Sequence, residues 1–229
     1  MTFSFSASPP AVLSIHGNGN VIPVRRIYTI GRNYADHAAE TGLGAISGSV
    51  PGISLKPSDS LLSDGQTLPY PSKTEQLDAE IEMVVVIGRQ GRNIPTKDAL
   101  DYVFGYAVGL DMIRRDIMQD CIANEHSWDL CKSFRGASPV GQVRLASEIG
   151  HPDTGENRLQ VNGVARQQGD IAKLIWKTSD IVARLSAYDA VYPGDIVFTG
   201  TPKGPGPVSI GDKLESYLEG VGNLNISIG

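Results

Sequence analysis

Residues 80–87 read Glu-Ile-Glu-Met-Val-Val-Val-Ile and run into Gly88. A run this rich in Val and Ile, closed by a glycine, specifies a β-strand. Side chains two apart on a strand share a face, so Glu80 and Glu82 stand side by side. In so apolar a strand, two neighbouring carboxylates repel each other and suffer desolvation. Two arrangements relieve this: a divalent cation held by both, as hard ions such as Mg²⁺ are held by carboxylate oxygens, or a strand start that faces solvent. The fold must therefore be built round a sheet, whichever arrangement holds.

The surrounding pattern extends that sheet. Residues 12–15 and 21–24 flank His-Gly-Asn-Gly-Asn, a hairpin signal. Residues 26–30 read as a strand, and 33–40 as a helix that Gly42 and Gly44 would stop. Residues 47–72 are turn-rich, with a short strand at 53–56. A capped helix over 96–103, a strand over 104–111 and a helix over 114–124 follow. A second hairpin joins 158–161 to 164–167 across Asn162-Gly163. Residues 170–186 read as an amphipathic helix with Ile171, Leu174, Ile175, Ile181, Val182 and Leu185 on one side. A strand over 195–198 and a closing hairpin over 214–228 complete the chain. With 26 Gly and 14 Pro among 229 residues, many short strands outweigh a few short helices. The expected class is α+β, dominated by β. No linker interrupts the chain; an N-terminal arm and hairpin over 1–23 precede a single domain over 24–229.

Charge and composition exclude several roles. The balance is 20 basic against 25 acidic residues, a net −5, which speaks against nucleic acid or a membrane surface as partner. Cys121 and Cys131 lack metal or redox spacing and fit a reducing compartment. No secretory signal or membrane-length apolar run is seen, so a cytoplasmic protein is expected.

Other residues offer chemistry with two readings each. Asp111, at the end of the predicted strand, is either a third metal ligand or a helix cap paired with Arg114; spacing favours the cap. His37 and Glu40, at i and i+3, share a helical face. A carboxylate there orients an imidazole for general-base work, although in isolation an incidental ion pair on an exposed helix explains the spacing better. Lys132, between Cys131 and Phe134, either meets an oxyanion or snorkels to the surface. The loop 199–206 is rich in Gly and Pro, suited to cradling an anion, but lacks the Gly-Lys-Ser/Thr ending of a nucleotide loop. His16, His126 and His151 show no ligand spacing.

In order along the chain come IGRNYADHAAE, SLKP at 54–57, EIEMVVVIG from Glu80, GYAVGLDMIRRD from Gly105, WDLCKSF from Trp128, VNGVARQQGD, and PGDIVFTGTPKGPGPVSIGD from Pro193. Each fragment is weak alone, but the ordered set resembles the fumarylacetoacetate hydrolase family over nearly the whole chain. It is most like the small bacterial members that hydrolyse fumarylpyruvate and other acylpyruvates. The resemblance implies a mixed β-roll with short peripheral helices, a homodimer, and a catalytic domain over 24–229. It implies Mg²⁺ or Mn²⁺ on Glu80, Glu82 and Asp111, a water-activating dyad of His37 and Glu40, and Lys132 at the developing negative charge. Lys56 and Thr201 would hold the carboxylate of a keto-acid substrate, with Arg32 and Arg115 also in substrate-binding positions.

The implied reaction is metal-dependent hydrolysis of a C–C bond in a 3-acylpyruvate such as fumarylpyruvate, giving pyruvate and a carboxylic acid in aromatic-compound degradation. The alternatives are oxaloacetate decarboxylation or keto–enol tautomerisation on the same scaffold, and after them a non-catalytic keto-acid binder. Three positions depart from the family pattern. Met118 stands where Gln is usual, with Gln119 displaced by one; Arg135 follows Lys-Ser-Phe; and the loop carries Gly204-Pro205-Gly206 in place of Gly-Val-Gly.

Overall fold

The computed structural model describes residues 4–6, 8–40 and 51–229. The predicted first hairpin forms from β1 (Val12–Ser14) and β2 (Val21–Pro23), antiparallel with Val12 opposite Pro23. β3 (Ile27–Gly31) leads into the six-residue helix α1 (Ala35–Glu40). The glycine stop expected at Gly42 and Gly44 lies outside the described residues. β4 (Gly52–Lys56), β5 (Leu61–Ser63) and β6 (Thr67–Leu68) precede the two longest strands, β7 (Leu77–Ile87) and β8 (Val103–Arg114). Next come α2 (Arg115–Ala123), α3 (Asp129–Lys132), β9 (Ser138–Val140), β10 (Arg144–Leu145) and α4 (Ala146–Ile149). The remainder is β11 (Glu156–Val161), β12 (Val164–Asp170), α5 (Thr178–Tyr188), β13 (Ile196–Phe198), β14 (Gly206–Val208), β15 (Lys213–Leu218) and β16 (Gly222–Ile228).

The larger sheet runs β4-β3-β13-β7-β8-β9-β5, with β10 on β8 and β14 on β7; the smaller runs β12-β11-β15-β16-β6. Strand pairs are mixed: β13 lies parallel to β3 and β5 parallel to β9, while β7 and β8 are antiparallel. This is the strand-dominated α+β class that the turn content and strand patterns anticipate.

Every residue of β7 is buried, so the strand is covered on both faces, and its second half, residues 83–87, reads as a continuous apolar run rather than an alternating one. Ile81, Met83 and Val85 enter one core together with Leu159, Leu214 and Leu224 of the smaller sheet. Val84 and Val86 enter a second cluster with Ala107, Phe198 and Leu13 of the first hairpin. Glu80 and Glu82 share the parity of Val84 and Val86, so that face turns from aliphatic to acidic within one strand.

Four expectations need correction. Asp111 does not end its strand; β8 continues to Arg114 because β7 begins at Leu77 and gives it a partner throughout. The segment 96–103 forms a 3₁₀ helix, Thr96–Tyr102, rather than an α-helix. The turn-rich stretch also holds β5 and β6, each completed only by pairing with distant β9 and β16. The helix expected over 170–186 is broken: a 3₁₀ turn at Ile171–Lys173 precedes α5, which starts at Thr178. Asn33 causes the break by claiming the intervening backbone. Its carbonyl accepts from Ile175 N–H at 2.9 Å, and its carboxamide holds both the N–H and the carbonyl of Trp176. Ile175 accordingly faces solvent instead of the core.

Candidate active site

Register brings three carboxylates together. Glu80 lies directly opposite Asp111 across the β7–β8 ladder, and Glu82 lies opposite Gly109. Directly opposed residues share a face. Ligand oxygens of Glu80, Glu82 and Asp111 all fall within 4.8 Å of one another, and all three residues are buried. A solvent-facing strand start is thereby excluded.

Each carboxylate is fixed by a different neighbour. Glu80 Oε1 accepts from the Arg115 guanidinium at 2.6 Å, and Arg115 Nε is held by Asp78 at 2.7 Å. Glu82 Oε2 accepts from the Gly200 backbone N–H. Gly200 has φ 101°, and a Cβ there would stand 2.6 Å from that of Asn33, so only glycine brings this amide to the carboxylate. Asp111 Oδ2 accepts from Lys132 Nζ at 2.7 Å, while Oδ1 pairs with Lys56. The helix-cap reading of Asp111 is therefore wrong. Arg114, its supposed partner, lies over the Phe134 ring and donates to the Leu130 carbonyl.

Burial pushes the Glu82 carboxyl well above the ordinary range, and the like charges of Asp111 and Glu80 push it further. Burial acts on Asp111 in the same sense, but the ammonium groups of Lys132 and Lys56 outweigh it and hold Asp111 low. Burial likewise opposes the Lys132 charge, yet Asp111 and Glu80 keep its pKa raised. The residual strain sits on Glu82. An all-oxygen donor set with one uncompensated buried carboxylate fits a hard divalent cation, which would remove that strain.

Lys56 does not take the place the resemblance implies. Its side chain is fully buried, and its ammonium donates to the carbonyls of Met112 and Ala137 as well as pairing with Asp111. An ammonium has three donors; all three are engaged behind the carboxylate cluster, so none reaches a substrate. Lys132 instead lines the cavity, with one donor on Asp111. The snorkelling alternative fails because Lys132 is buried.

Glu80 and Glu82 open into a cavity of about 470 Å³ that also takes in Arg32, His37, Glu40, Arg115, Lys132 and Thr201. Residues as far apart in sequence as Arg32 and Thr201 thus meet round one space. Arg32 sits at the β3–α1 turn with φ 56°. His37 is buried, with Nδ1 3.7 Å from Glu40 Oε2, a distance longer than a hydrogen bond. Glu40 Oε2 accepts from the Gly204 N–H at 3.0 Å, tying α1 to the glycine- and proline-rich loop. That loop uses its amides on the protein's own carboxylates, Glu82 and Glu40.

Among the departures, Met118 Sδ lies 3.1 Å from Arg115 Nη1, and Gln119 lines the cavity beside it. The displaced glutamine therefore still faces the site. Arg135 is exposed and outside the cavity lining. Sequence reasoning missed Asp78, Asn33, Trp128 and Gln167. Gln167 is buried, bonded to Ile81 N–H and Thr201 Oγ1. Its only advance signal was its place in the VNGVARQQGD fragment. Cys121 and Cys131 are both buried and unbridged, and burial raises the Cys131 thiol to about 11, an unreactive state.

This architecture, a carboxylate cluster on the central strands of a curled mixed sheet, has close counterparts. The model of the Fumarylacetoacetate (FAA) hydrolase C-terminal family matches residues 26–228, and the chain belongs to that family. A crystal structure of fumarylpyruvate hydrolase from Pseudomonas aeruginosa in complex with Mn²⁺ and pyruvate superimposes with a TM-score of 0.95. Identity to it is 40%, and 99% of each chain is covered. Oxaloacetate tautomerase FAHD1, mitochondrial, of Arabidopsis thaliana is 36% identical over 203 residues, 89% of this chain and 90% of that one. The Homo sapiens protein of the same name is 36% identical over 204 residues, 89% of this chain and 91% of that one. The chain is an enzyme of this family, with a carboxylate triad suited to a metal ion. No described helix is long and apolar enough to cross a membrane.

Proposed function

We propose that the protein hydrolyses the C–C bond of a 3-acylpyruvate such as fumarylpyruvate, using Mg²⁺ or Mn²⁺ held by Glu80, Glu82 and Asp111. The observation that carries this reading is that His37 and Glu40 face the same cavity as Glu80 and Glu82 of the carboxylate triad. Binding a keto acid needs the triad alone; an imidazole–carboxylate pair beside it serves proton transfer. The similarity to a fumarylpyruvate hydrolase along the whole chain supports the choice of substrate.

When bound, the cation supplies Lewis-acid polarisation of a 2-keto acid's oxygens and orients that end of the substrate. His37, with Nδ1 turned to Glu40, takes a proton from water on its other ring nitrogen, and Glu40 stabilises the imidazolium. The hydroxide so formed attacks the distal carbonyl. Lys132, with two donors not used by Asp111, meets the oxyanion of the tetrahedral intermediate. Collapse of the oxyanion breaks the C–C bond and releases the carboxylic acid and pyruvate enolate, which takes back the proton held by the His37 imidazolium and so regenerates the base. Arg115 and Thr201 hold the substrate at the cavity wall. Family resemblance further supports a cytoplasmic homodimer acting in aromatic-compound degradation.

A second reading is favoured by the relatives named oxaloacetate tautomerase. Enolate chemistry is common to hydrolysis, decarboxylation and tautomerisation, and these differ in where water and protons go. Assay of fumarylpyruvate, acetylpyruvate and oxaloacetate with Mg²⁺ and with Mn²⁺ tests the choice. Turnover of oxaloacetate alone overturns the hydrolase reading; chelator-insensitive turnover overturns the metal assignment.

A further inference from the structure

We infer that Gln167 is a positioning residue: it braces the ligand-bearing strand β7 and turns the Thr201 hydroxyl proton into the cavity. The inference rests on the keto-acid reading above.

Gln167 reaches its place through a bulge. In an unbroken hairpin across Asn162-Gly163, the register would set Arg166 opposite Leu159, whose side chain is inward, and Gln167 would face out. The register instead shifts between Leu159 and Gln160, so that Gln160 pairs with Ala165 and Leu159 with Gln167. Arg166 becomes the extra residue, a device that re-aims side chains. Ala165 and Arg166 are exposed, and Gln167 is 1% exposed.

The inward carboxamide lands where the larger sheet is incomplete. β14 pairs with β7 at residues 77–79 and β13 at residues 84–86, and the chain loops away between them. The uncovered stretch is the one that carries Glu80 and Glu82. Ile81 N–H, between those two ligands, donates to Gln167 Oε1 at 2.9 Å. Gln167 Nε2 donates to Thr201 Oγ1 at 2.8 Å and to the Pro202 carbonyl at 2.9 Å. The amide has one orientation only, since an N–H must meet its oxygen and a carbonyl must meet its nitrogen. The side chain thus replaces a missing strand partner.

The consequence falls on Thr201, which is 2% exposed yet lines the cavity. Its oxygen accepts from Gln167, so its proton points elsewhere and is offered to a ligand. The wall there favours acceptor atoms, such as carboxylate or keto oxygens, over N–H groups.

Oxalate and oxamate separate these preferences, because oxamate carries an amide NH₂ in place of one carboxylate oxygen. Their affinities are measured calorimetrically with Mg²⁺ for the wild type, Gln167→Met, Thr201→Val, Thr201→Ser and the Gln167→Met/Thr201→Val double variant. Thr201→Val is expected to weaken oxalate about three- to tenfold and narrow the oxalate-to-oxamate ratio. Gln167→Met should narrow the ratio equally, the double variant no further, and Thr201→Ser should keep it. Mg²⁺ affinity without anion should fall in Gln167→Met but not in Thr201→Val, because only Gln167 braces Ile81. A wild-type ratio in Gln167→Met, or full additivity in the double variant, overturns the inference and leaves Gln167 a packing residue. Should Gln167→Met not fold, equal ratios in Thr201→Val and Thr201→Ser overturn it, and unequal ones support it. Wild-type protein that binds no oxalate overturns the keto-acid reading and this inference with it, whereas oxalate binding with an unmoved ratio overturns this inference alone.

Discussion

The floor of the cavity and the helix that borders it are built on opposite terms. The floor is two long paired strands, β7 and β8, and each of its three carboxylates is held by a named donor: Arg115, the Gly200 amide, or the lysines 56 and 132. The border, α1, is six residues long, too short to be stable by itself. It is pinned at its start, where Asn33 bonds the carbonyls of Thr199 and Trp176, and at its end, where Glu40 meets Gly204. Its His37–Glu40 pair stands at 3.7 Å, while the floor's charge pairs lie at 2.7 Å or less. The carboxylates of the floor are preorganised by close charge pairs, whereas the His37–Glu40 pair stands farther apart on a short helix held at its two ends.

The contrast breaks most severely at the triad. Glu82→Gln and Glu80→Ala are expected to abolish metal-dependent turnover. In Glu82→Gln the apo protein should be as stable as wild type or more so, because the raised carboxyl no longer has to ionise among like charges. At a metal concentration 100 times Kd the wild type should gain about 2.7 kcal/mol, or roughly 5–11 °C in Tm. A gain of that size surviving in either variant breaks the assignment.

Asp111→Asn probes the same floor in the other direction. It strips Lys56 and Lys132 of their buried counter-charge, and a loss of about 3–5 kcal/mol is expected on chemical denaturation without metal. Neighbouring carboxylates of one cluster should thus move apo stability in opposite senses. Equal effects of Asp111→Asn and Glu82→Gln would show that the lysines do not divide them.

On α1 the effects should be kinetic. Glu40→Ala and His37→Ala are each expected to lower kcat on the order of 10²-fold while leaving oxalate binding with Mg²⁺ nearly intact. The double variant should cost little more than His37→Ala, since residues acting as one unit are not additive. Full multiplication of the two losses means that they work independently.

Met118→Gln sharpens the comparison by the smallest margin. It replaces a weak thioether acceptor on Arg115 with a carboxamide, and should shift the ratio of acylpyruvate hydrolysis to oxaloacetate decarboxylation a few-fold toward the latter. An unchanged ratio removes position 118 from the partition.

Much of this architecture is legible in the residues themselves. The Val- and Ile-rich run of β7, the turn chemistry of Asn162-Gly163 and the i, i+3 spacing of His37 and Glu40 are local signals, and each forms what it specifies. The third carboxylate of the cluster was not readable in the same way. Asp111 looked like a strand-end cap because nothing near it in the chain reveals that β7 starts at Leu77 and carries β8 onward to Arg114. Helix periodicity over 170–186 likewise misled, because Asn33, far away in the chain, outbids the local preference at Ile175 and Trp176.

Sequence by itself determined the β-dominated class, the neighbouring carboxylates on one strand face and the pairing of imidazole with carboxylate on one helix. Those follow from periods of 2.0 and 3.6 residues, which are properties of the local backbone. Only the tertiary structure decided that Asp111 faces Glu80, that Lys56 is spent behind the triad while Lys132 reaches the cavity, and that a one-residue bulge turns Gln167 inward. Register, burial and the identity of a hydrogen-bond partner depend on segments far apart in the chain, and one residue of slip moves a side chain to the opposite face of its sheet.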